Sequence, residues 1–186
     1  MNNNNNNNNN KTYIIAEIGI NHEGDIDICK EMIRASARCG VDAVKLQTIN
    51  ADANYVKGTE SYNIFKVSEL TREETREAFK FSQGLGLDIF TTAGDVETID
   101  WVDQLNPSHW KVSSGLLTHT PIIEYLASLK RPLLISTGMA SQEDIDLAIK
   151  SAKSAGNNDI SLFQCTSVYP TPVEEINLST INWLKD

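Results

Sequence analysis

Six short apolar runs rich in β-branched residues alternate, from Lys11 onward, with longer stretches of amphipathic character. Runs of this kind are typical of strands, and their alternation with helices favours a parallel sheet with helical crossovers. The sequence therefore predicts an α/β chain of six strand–helix units. The predicted strands are residues 13–18, 42–47, 87–92, 110–113, 132–136 and 160–165.

Helix-start signals stand where this alternation requires them. Thr71 and Glu74 have the spacing of a capping box, in which each side chain bonds the backbone N–H of the other residue. Pro121 suits the first turn of a helix, and Ser141 precedes another amphipathic stretch. A further helix is predicted to begin near Leu178.

The strand ends indicate how the sheet closes. Gly19-Ile20-Asn21 does not form the glycine-rich phosphate loop of a dinucleotide-binding sheet. Nearly every predicted strand ends instead in polar residues, as in the active-site rim of a (β/α)8 TIM-type barrel. Such a barrel has eight units in about 250 residues, so six units predict a barrel truncated after about six βα units. The polar residues are Glu17, Lys45, Gln47, Thr91, Thr92, Lys111, Ser113, Ser136, Thr137 and Thr166.

Residues 1–10 are Met1 followed by nine asparagines. Such a run has no apolar face to bury, so a disordered leader or a sequence artefact is predicted there. Residues 11–186 are then predicted to form one partial (β/α) barrel.

Composition narrows the possible partners and the compartment. A formal net charge of −9 opposes binding to nucleic acid but leaves room for a small anion at clustered lysines. No apolar run approaches the length of a membrane span and no signal peptide is recognisable, which predicts a cytoplasmic protein without membrane association. Cys29, Cys39 and Cys165 are scattered and odd in number, so reduced thiols are predicted.

Two lysines are predicted to point into the barrel. Because side chains alternate along a strand, Lys45 and Gln47 share the inner face while Val44 and Leu46 pack on helices. The same alternation turns Lys111 inward. A buried ammonium group needs an anionic partner, so two of them near one rim favour a strongly anionic ligand such as a phosphate ester. The alternative is that each lysine pairs with a local carboxylate such as Glu17.

Several polar residues at this rim have more than one interpretation. Hydroxyls of Thr92, Ser113, Ser114 and Ser136 would surround the anion. Glu17, inside an apolar strand, is expected to be a buried carboxylate that is ion-paired, functional or both. Two further interpretations stay open: His22 as an acid/base, a ligand or a hydrogen-bonding loop residue, and Tyr169, beside two prolines, as a sugar contact or part of a rigid turn. His109 and His119 are too far apart for a metal pair, so no metal site is predicted in this chain.

Five motifs follow one another in the order of a known family. They are residues 16–25 (AEIGINHEGD), 45–48 (KLQT), 111–115 (KVSSG), 136–139 (STGM) and 165–172 (CTSVYPTP). Together they resemble the sialic acid (N-acetylneuraminate) synthase family, which includes legionaminate and pseudaminate synthases and spore-coat polysaccharide homologues. The resemblance extends from Lys11 to the end of the chain.

The resemblance implies a reaction and a set of roles. Family members condense phosphoenolpyruvate with an open-chain N-acetylhexosamine, commonly N-acetylmannosamine or its 6-phosphate, and release phosphate. Lys45 and Lys111 would bind phosphoenolpyruvate, and Glu17 would organise the site or assist proton transfer. A divalent metal, Mn²⁺ or Mg²⁺, would polarise the aldehyde. By the same resemblance Thr92, Ser114, Ser136 and Ser167 would complete the phosphate and carboxylate cradle, and Gln47 and Tyr169 would contact the sugar.

The chain departs from the family pattern in three respects. Leu116 occupies a position where the family usually has an acidic residue. The two metal-binding histidines of the family, and the C-terminal domain that reaches the partner subunit in a homodimer, would lie beyond Asp186. These departures predict an incomplete synthase and keep two alternatives open: a non-catalytic ligand-binding relative, and a Schiff-base aldolase with Lys111 as nucleophile.

Overall fold

The computed structural model describes residues 11–185, so the leader predicted for residues 1–10 lies outside the described residues. All six predicted strands are confirmed, with ends that differ from the prediction by at most two residues. They are β1 (Ile15–Gly19), β2 (Ala43–Gln47), β3 (Asp88–Thr92), β4 (Trp110–Val112), β5 (Leu133–Ser136) and β6 (Ile160–Phe163).

The six strands form one parallel sheet in sequence order, β1 to β6. Side chains from all six strands, or from the residues directly after them, line one cavity, so the sheet is curled into a half-barrel. Parallel strands in this order place every carboxyl end at the same rim. Six parallel strands in a half-barrel are consistent with the predicted TIM-type barrel truncated after about six βα units, and a full eight-stranded barrel stays a proposal.

The described residues form eight α-helices. They are α1 (Ile26–Arg38), α2 (Ala51–Asn54), α3 (Glu60–Val67), α4 (Arg72–Gly84), α5 (Val96–Asp103), α6 (Thr120–Ser128), α7 (Gln142–Ser154) and α8 (Thr180–Trp183). Helices α1, α4, α5, α6 and α7 pack buried apolar side chains against the outer face of the sheet. None of the described helices is both long enough and apolar enough to cross a membrane.

The predicted helix starts are confirmed. Thr71 and Glu74 form the capping box of α4, and Ser141 forms the equivalent box of α7 with Asp144. Pro121 lies in the first turn of α6. These caps satisfy backbone N–H groups that a helix start leaves without intrahelical partners.

Helices α2 and α3, between β2 and α4, were not predicted from the sequence. Helix α2 has only four residues, and α3 buries none of its side chains. Neither helix therefore carries the apolar stripe by which a core-facing helix is recognised. A stack between Tyr55 and Phe65, with ring centroids 4.7 Å apart, helps to hold this segment.

The alternation predicted for β2 is confirmed. Val44 and Leu46 belong to the large core between sheet and helices, while Ala43 belongs to a small inner cluster with Phe90 and Leu134. The outer face of the sheet thus packs against helices. The inner face carries the small apolar cluster and, next to it, polar residues.

The amino end of the half-barrel is filled by rings. His109 lies 5.2 Å from Phe90 and 5.6 Å from Tyr13 between ring centroids. His109 therefore lies at the end opposite to the active-site rim, where it packs against both aromatic rings.

Candidate functional site

An open cavity of about 550 Å³ occupies the inner face of the sheet at the carboxyl ends of the strands. All nine residues to which the sequence analysis assigned a catalytic or substrate-binding role line this cavity, although the role of each stays a prediction. The nine residues are Glu17, Lys45, Gln47, Thr92, Lys111, Ser114, Ser136, Ser167 and Tyr169.

Lys45 is paired with a local carboxylate. Its Nζ lies 2.8 Å from Oε2 of Glu17, and its side chain is only 7% exposed. The expectation of a buried Glu17 was wrong, because its side chain is 52% exposed. The physical reason is that β1 is an edge strand of the described sheet, so no described strand covers its other side.

Lys111 is compensated much less completely. Its Nζ donates to Oγ of Ser136 at 2.5 Å and to the carbonyl oxygen of Val112 at 2.9 Å, and it lies 5.7 Å from the ring centroid of Phe163. No salt bridge to it forms among residues 11–185. Burial, and then repulsion from Lys45, lowers the pKa of Lys111 to about 8. Pairing with a local carboxylate therefore accounts for one of the two lysines and not for the other.

Thr92 contributes a hydroxyl without a partner. The residue is 4% exposed, and Oγ1 makes no hydrogen bond within the described part of the chain. Buried polar atoms are almost always hydrogen-bonded, so an orphan on a cavity wall indicates a bound ligand or water. Thr92 lies on β3, directly beside Lys111 in the strand register.

Ser114 and Ser167 converge on the backbone at Gly138. The Gly138 N–H donates to Oγ of Ser114 at 3.1 Å. A Cβ added at Gly138 would lie 2.5 Å from Oγ of Ser167 and 2.7 Å from Oγ of Ser114. The absence of a side chain at this position is what allows the two hydroxyls to approach.

Gly138 and Cys165 are site residues that sequence reasoning missed. Both stood in motifs that were recognised, but neither was assigned a role. The sequence did contain a signal for Gly138: a glycine directly after the end of a strand often marks a place where another group approaches the backbone closely. Cys165 lines the cavity two residues after β6.

The remaining predicted residues lie near the mouth of the cavity or away from it. Tyr169 is 97% exposed, so its predicted sugar contact stays a prediction. His22 is buried outside the cavity lining, and its Nδ1 accepts a hydrogen bond from the Gly24 N–H, as the hydrogen-bonding interpretation expected. His119 caps α6 through Nδ1. Leu116 packs against the core under the helices.

The fold and cavity define a parallel α/β half-barrel with a cationic, hydroxyl-lined cavity at the carboxyl ends of its strands. Residues 32–186 match the model of the NeuB family. The chain belongs to this family.

Two relatives and one solved structure illustrate the similarity. The N,N'-diacetyllegionaminic acid synthase of Legionella pneumophila is 34% identical over 94% of this chain and 54% of that protein. Human N-acetylneuraminate-9-phosphate synthase is 32% identical over 91% and 51%. The N-acetylneuraminic acid synthetase of Leptospira borgpetersenii, solved with citrate, superposes with a TM-score of 0.90 at 28% identity, covering 95% of this chain and 61% of that one.

The chain spans about half the length of the curated relatives it matches. A 3-deoxy-D-arabino-heptulosonate 7-phosphate synthase from Thermotoga maritima, at 15% identity and a TM-score of 0.67, shares the fold.

Replacing Gly138 by alanine should weaken anion binding without unfolding the chain. The added Cβ would push apart the hydroxyls of Ser114 and Ser167. With phosphoenolpyruvate as the anionic probe, we expect any affinity to fall about tenfold or more, as for loss of one or two good hydrogen bonds. Titration calorimetry measures the affinity and thermal denaturation measures stability. The matched control is Gly84→Ala, where an added Cβ meets nothing within 4 Å. Unchanged affinity in Gly138→Ala would contradict the cradle.

The pKa of Lys111 predicts a pH dependence of anion binding. Below about 8 the side chain is an ammonium ion, and above this value it becomes neutral. The affinity for an anionic probe such as phosphoenolpyruvate should therefore be near its maximum at pH 7 and fall as pH rises through 8, approaching about tenfold per pH unit well above the pKa. A Lys111→Arg chain stays charged and should show a flat profile even if it binds more weakly. A flat profile in the unaltered chain would show that Lys111 is not the titrating group.

Proposed function

We propose that this chain carries the phosphoenolpyruvate-binding part of an enzyme that condenses phosphoenolpyruvate with an N-acetylhexosamine. The products are a sialic-acid-type nonulosonate and phosphate. The observation that carries the proposal is the ammonium group of Lys111, which faces the cavity without a carboxylate partner among the described residues and beside the orphan hydroxyl of Thr92. Membership of the NeuB family and the names of its relatives support the same reaction class.

The cavity suits a ligand that carries two anionic groups. Phosphoenolpyruvate has a phosphate and a carboxylate, and the cavity has two lysines, of which Lys45 is already balanced by Glu17. Lys111 with Ser136 and Thr92 offers charge and hydroxyl groups for one anion. Ser114 and Ser167, held together at Gly138, offer hydroxyls for the other. The Leptospira relative was solved with citrate, which is also a small polyanion.

The proposed roles follow the positions of the residues. C3 of phosphoenolpyruvate attacks the aldehyde carbon of the sugar, water adds at C2, and the C2–phosphate bond breaks to release phosphate. Among the described residues that line the cavity, Glu17 is the one carboxylate, so it is the candidate to accept or donate protons while it orients Lys45. Gln47 and Tyr169, nearer the mouth, are proposed to contact the sugar.

The divalent metal implied by the family resemblance does not fit the residues described here. No group of three or more His, Cys, Asp or Glu side chains that could hold a metal lies within residues 11–185. The cavity carries two lysines against a single carboxylate, and this charge balance disfavours a cation. We therefore propose that Mn²⁺ or Mg²⁺ is held by residues other than those described. We propose likewise that the homodimer of the family is formed through residues other than those described.

The direct test is phosphate release from phosphoenolpyruvate with N-acetylmannosamine and Mn²⁺. It should be run with this chain and with a longer protein that carries two further βα units. We expect this chain to bind phosphoenolpyruvate without turnover and the longer protein to release phosphate. Lys111→Met should abolish binding in both, because it removes the uncompensated ammonium.

Other outcomes of this test discriminate between the candidates. Turnover by the present chain would show that the described residues assemble a complete site and that the metal assignment is wrong. Silence in both proteins across several sugars, with binding retained, would favour a non-catalytic ligand-binding relative. Leu116 supports that alternative, because an apolar side chain, partly buried against the core, stands where the family usually has an acid. Leu116→Glu is then the first reversion to test.

A Schiff-base aldolase is the second candidate, and the lowered pKa of Lys111 is the observation that favours it. A pKa of about 8 makes part of the amine neutral, and hence nucleophilic, near neutral pH. Borohydride reduction in the presence of pyruvate would trap such an imine covalently. We expect no adduct on Lys111 by mass spectrometry, because condensation through phosphoenolpyruvate needs no imine. An adduct that forms in the unaltered chain and is absent from Lys111→Met would overturn the proposed condensation and support an aldolase.

A further inference from the structure

Cys165 is a half-buried thiol on the wall of the cavity, and the proposed reaction makes no use of it. It follows β6 by two residues and lies at the rim formed by the strand ends. Its Sγ donates to Oγ of Ser136 at 3.3 Å. The thiol is therefore part of the hydrogen-bonded wall that an anion in the cavity would contact.

The hydroxyl oxygen of Ser136 links this thiol to Lys111, the lysine proposed to attract the ligand. Oγ of Ser136 accepts from Nζ of Lys111 at 2.5 Å and from the thiol of Cys165. Because both lone pairs of the hydroxyl oxygen are used by these two donors, its own proton is available to a ligand in the cavity. A group attached to Sγ would occupy the same space as that ligand.

The other two cysteines lie in different environments. Cys29 is fully buried in the core, and burial raises the pKa of its thiol to about 11. Cys39 is exposed and caps α1. The chain thus contains one buried thiol, one exposed thiol and one on a cavity wall, so the first two serve as internal references for the third.

An independent observation indicates that this cavity receives a ligand. Thr92 is 4% exposed, lines the same cavity and has an Oγ1 without a hydrogen-bond partner among the described residues. An occupant that satisfies Thr92 and approaches Ser136 also covers the approach to Cys165.

We propose that Cys165 is a modification site for small electrophiles and hydroperoxides, and that a bound anion in the cavity shields it. With an alkyl halide the sulfur forms a bond to carbon as the carbon–halogen bond breaks, halide leaves, and the thiol proton passes to solvent. With hydrogen peroxide the sulfur forms a bond to oxygen as the O–O bond breaks, which gives a sulfenic acid and water. Modification in turn excludes the anion, because a group attached to Sγ would occupy the space that the anion needs.

The test is the rate of iodoacetamide labelling at each cysteine, followed by peptide mass spectrometry, with and without phosphoenolpyruvate. In the free chain we expect Cys165 to react more slowly than Cys39 and faster than Cys29. At a phosphoenolpyruvate concentration about ten times its dissociation constant, labelling of Cys165 should slow about tenfold, because only the unliganded fraction reacts. Labelling of Cys39 should not change.

The reverse experiment measures phosphoenolpyruvate binding after labelling. A chain alkylated at Cys165 should lose at least about tenfold in affinity, and hydrogen peroxide should cause a loss that dithiothreitol restores. A Cys165→Ser chain given the same treatment should keep the affinity that it had before treatment. This comparison separates an effect at Cys165 from alkylation elsewhere, such as at Cys39.

The inference rests on the proposed function, and calorimetry separates the failure of one from the failure of the other. Bound phosphoenolpyruvate that leaves the labelling rate of Cys165 unchanged would overturn the shielding and leave the proposed function standing. Labelling of Cys165 as slow as that of Cys29 would overturn the modification site whatever binds. A chain that binds no phosphoenolpyruvate would remove the proposed function, and the shielding with it.

Discussion

Two ammonium groups on the inner face of a parallel sheet impose the main constraint on this structure. Burying such a group costs free energy unless it is paired. The cost for Lys45 is offset by Glu17 at 2.8 Å, but that for Lys111 is met only by a hydroxyl, a carbonyl and an aromatic ring. The lowered pKa of Lys111 records this deficit. An anionic ligand removes the deficit, so the same feature that costs stability in the free chain provides affinity.

Side chains alternate between the two faces of each strand, so the buried ammonium groups lie on the opposite face from the apolar core. Val44, Leu46 and Val112 pack beneath the helices, while Lys45 and Lys111, one residue away, face the cavity. Each strand therefore contributes to the apolar core and to the site with alternate residues. Because the strands are parallel and in sequence order, their carboxyl ends meet at one rim, and residues far apart in sequence become neighbours.

The sequence predicted the features that depend on local pattern. All six strands and both lysine orientations were found, because β-branched runs and their alternation are local signals. The features that it could not predict depend on contacts through space. Which lysine is paired, how exposed Glu17 is on an edge strand, and why residue 138 must lack a side chain all follow from neighbours on other strands. Helix α3 was not predicted because it buries no side chain and so has no apolar stripe in the sequence.

The turn after β4 shows why the proposed anion binding and the proposed turnover depend on different residues. Ser113, Ser114 and Gly115 line the cavity, whereas Leu116, the next residue, packs under the helices. An acid in place of Leu116 would either be partly buried against apolar side chains, with some loss of solvation, or require the turn to rotate toward the cavity. None of the lysine or hydroxyl contacts in the cavity involves this side chain. The departure at Leu116 therefore bears on the proposed chemical step, while the charge and hydroxyl groups proposed to attract the anion are in place without it.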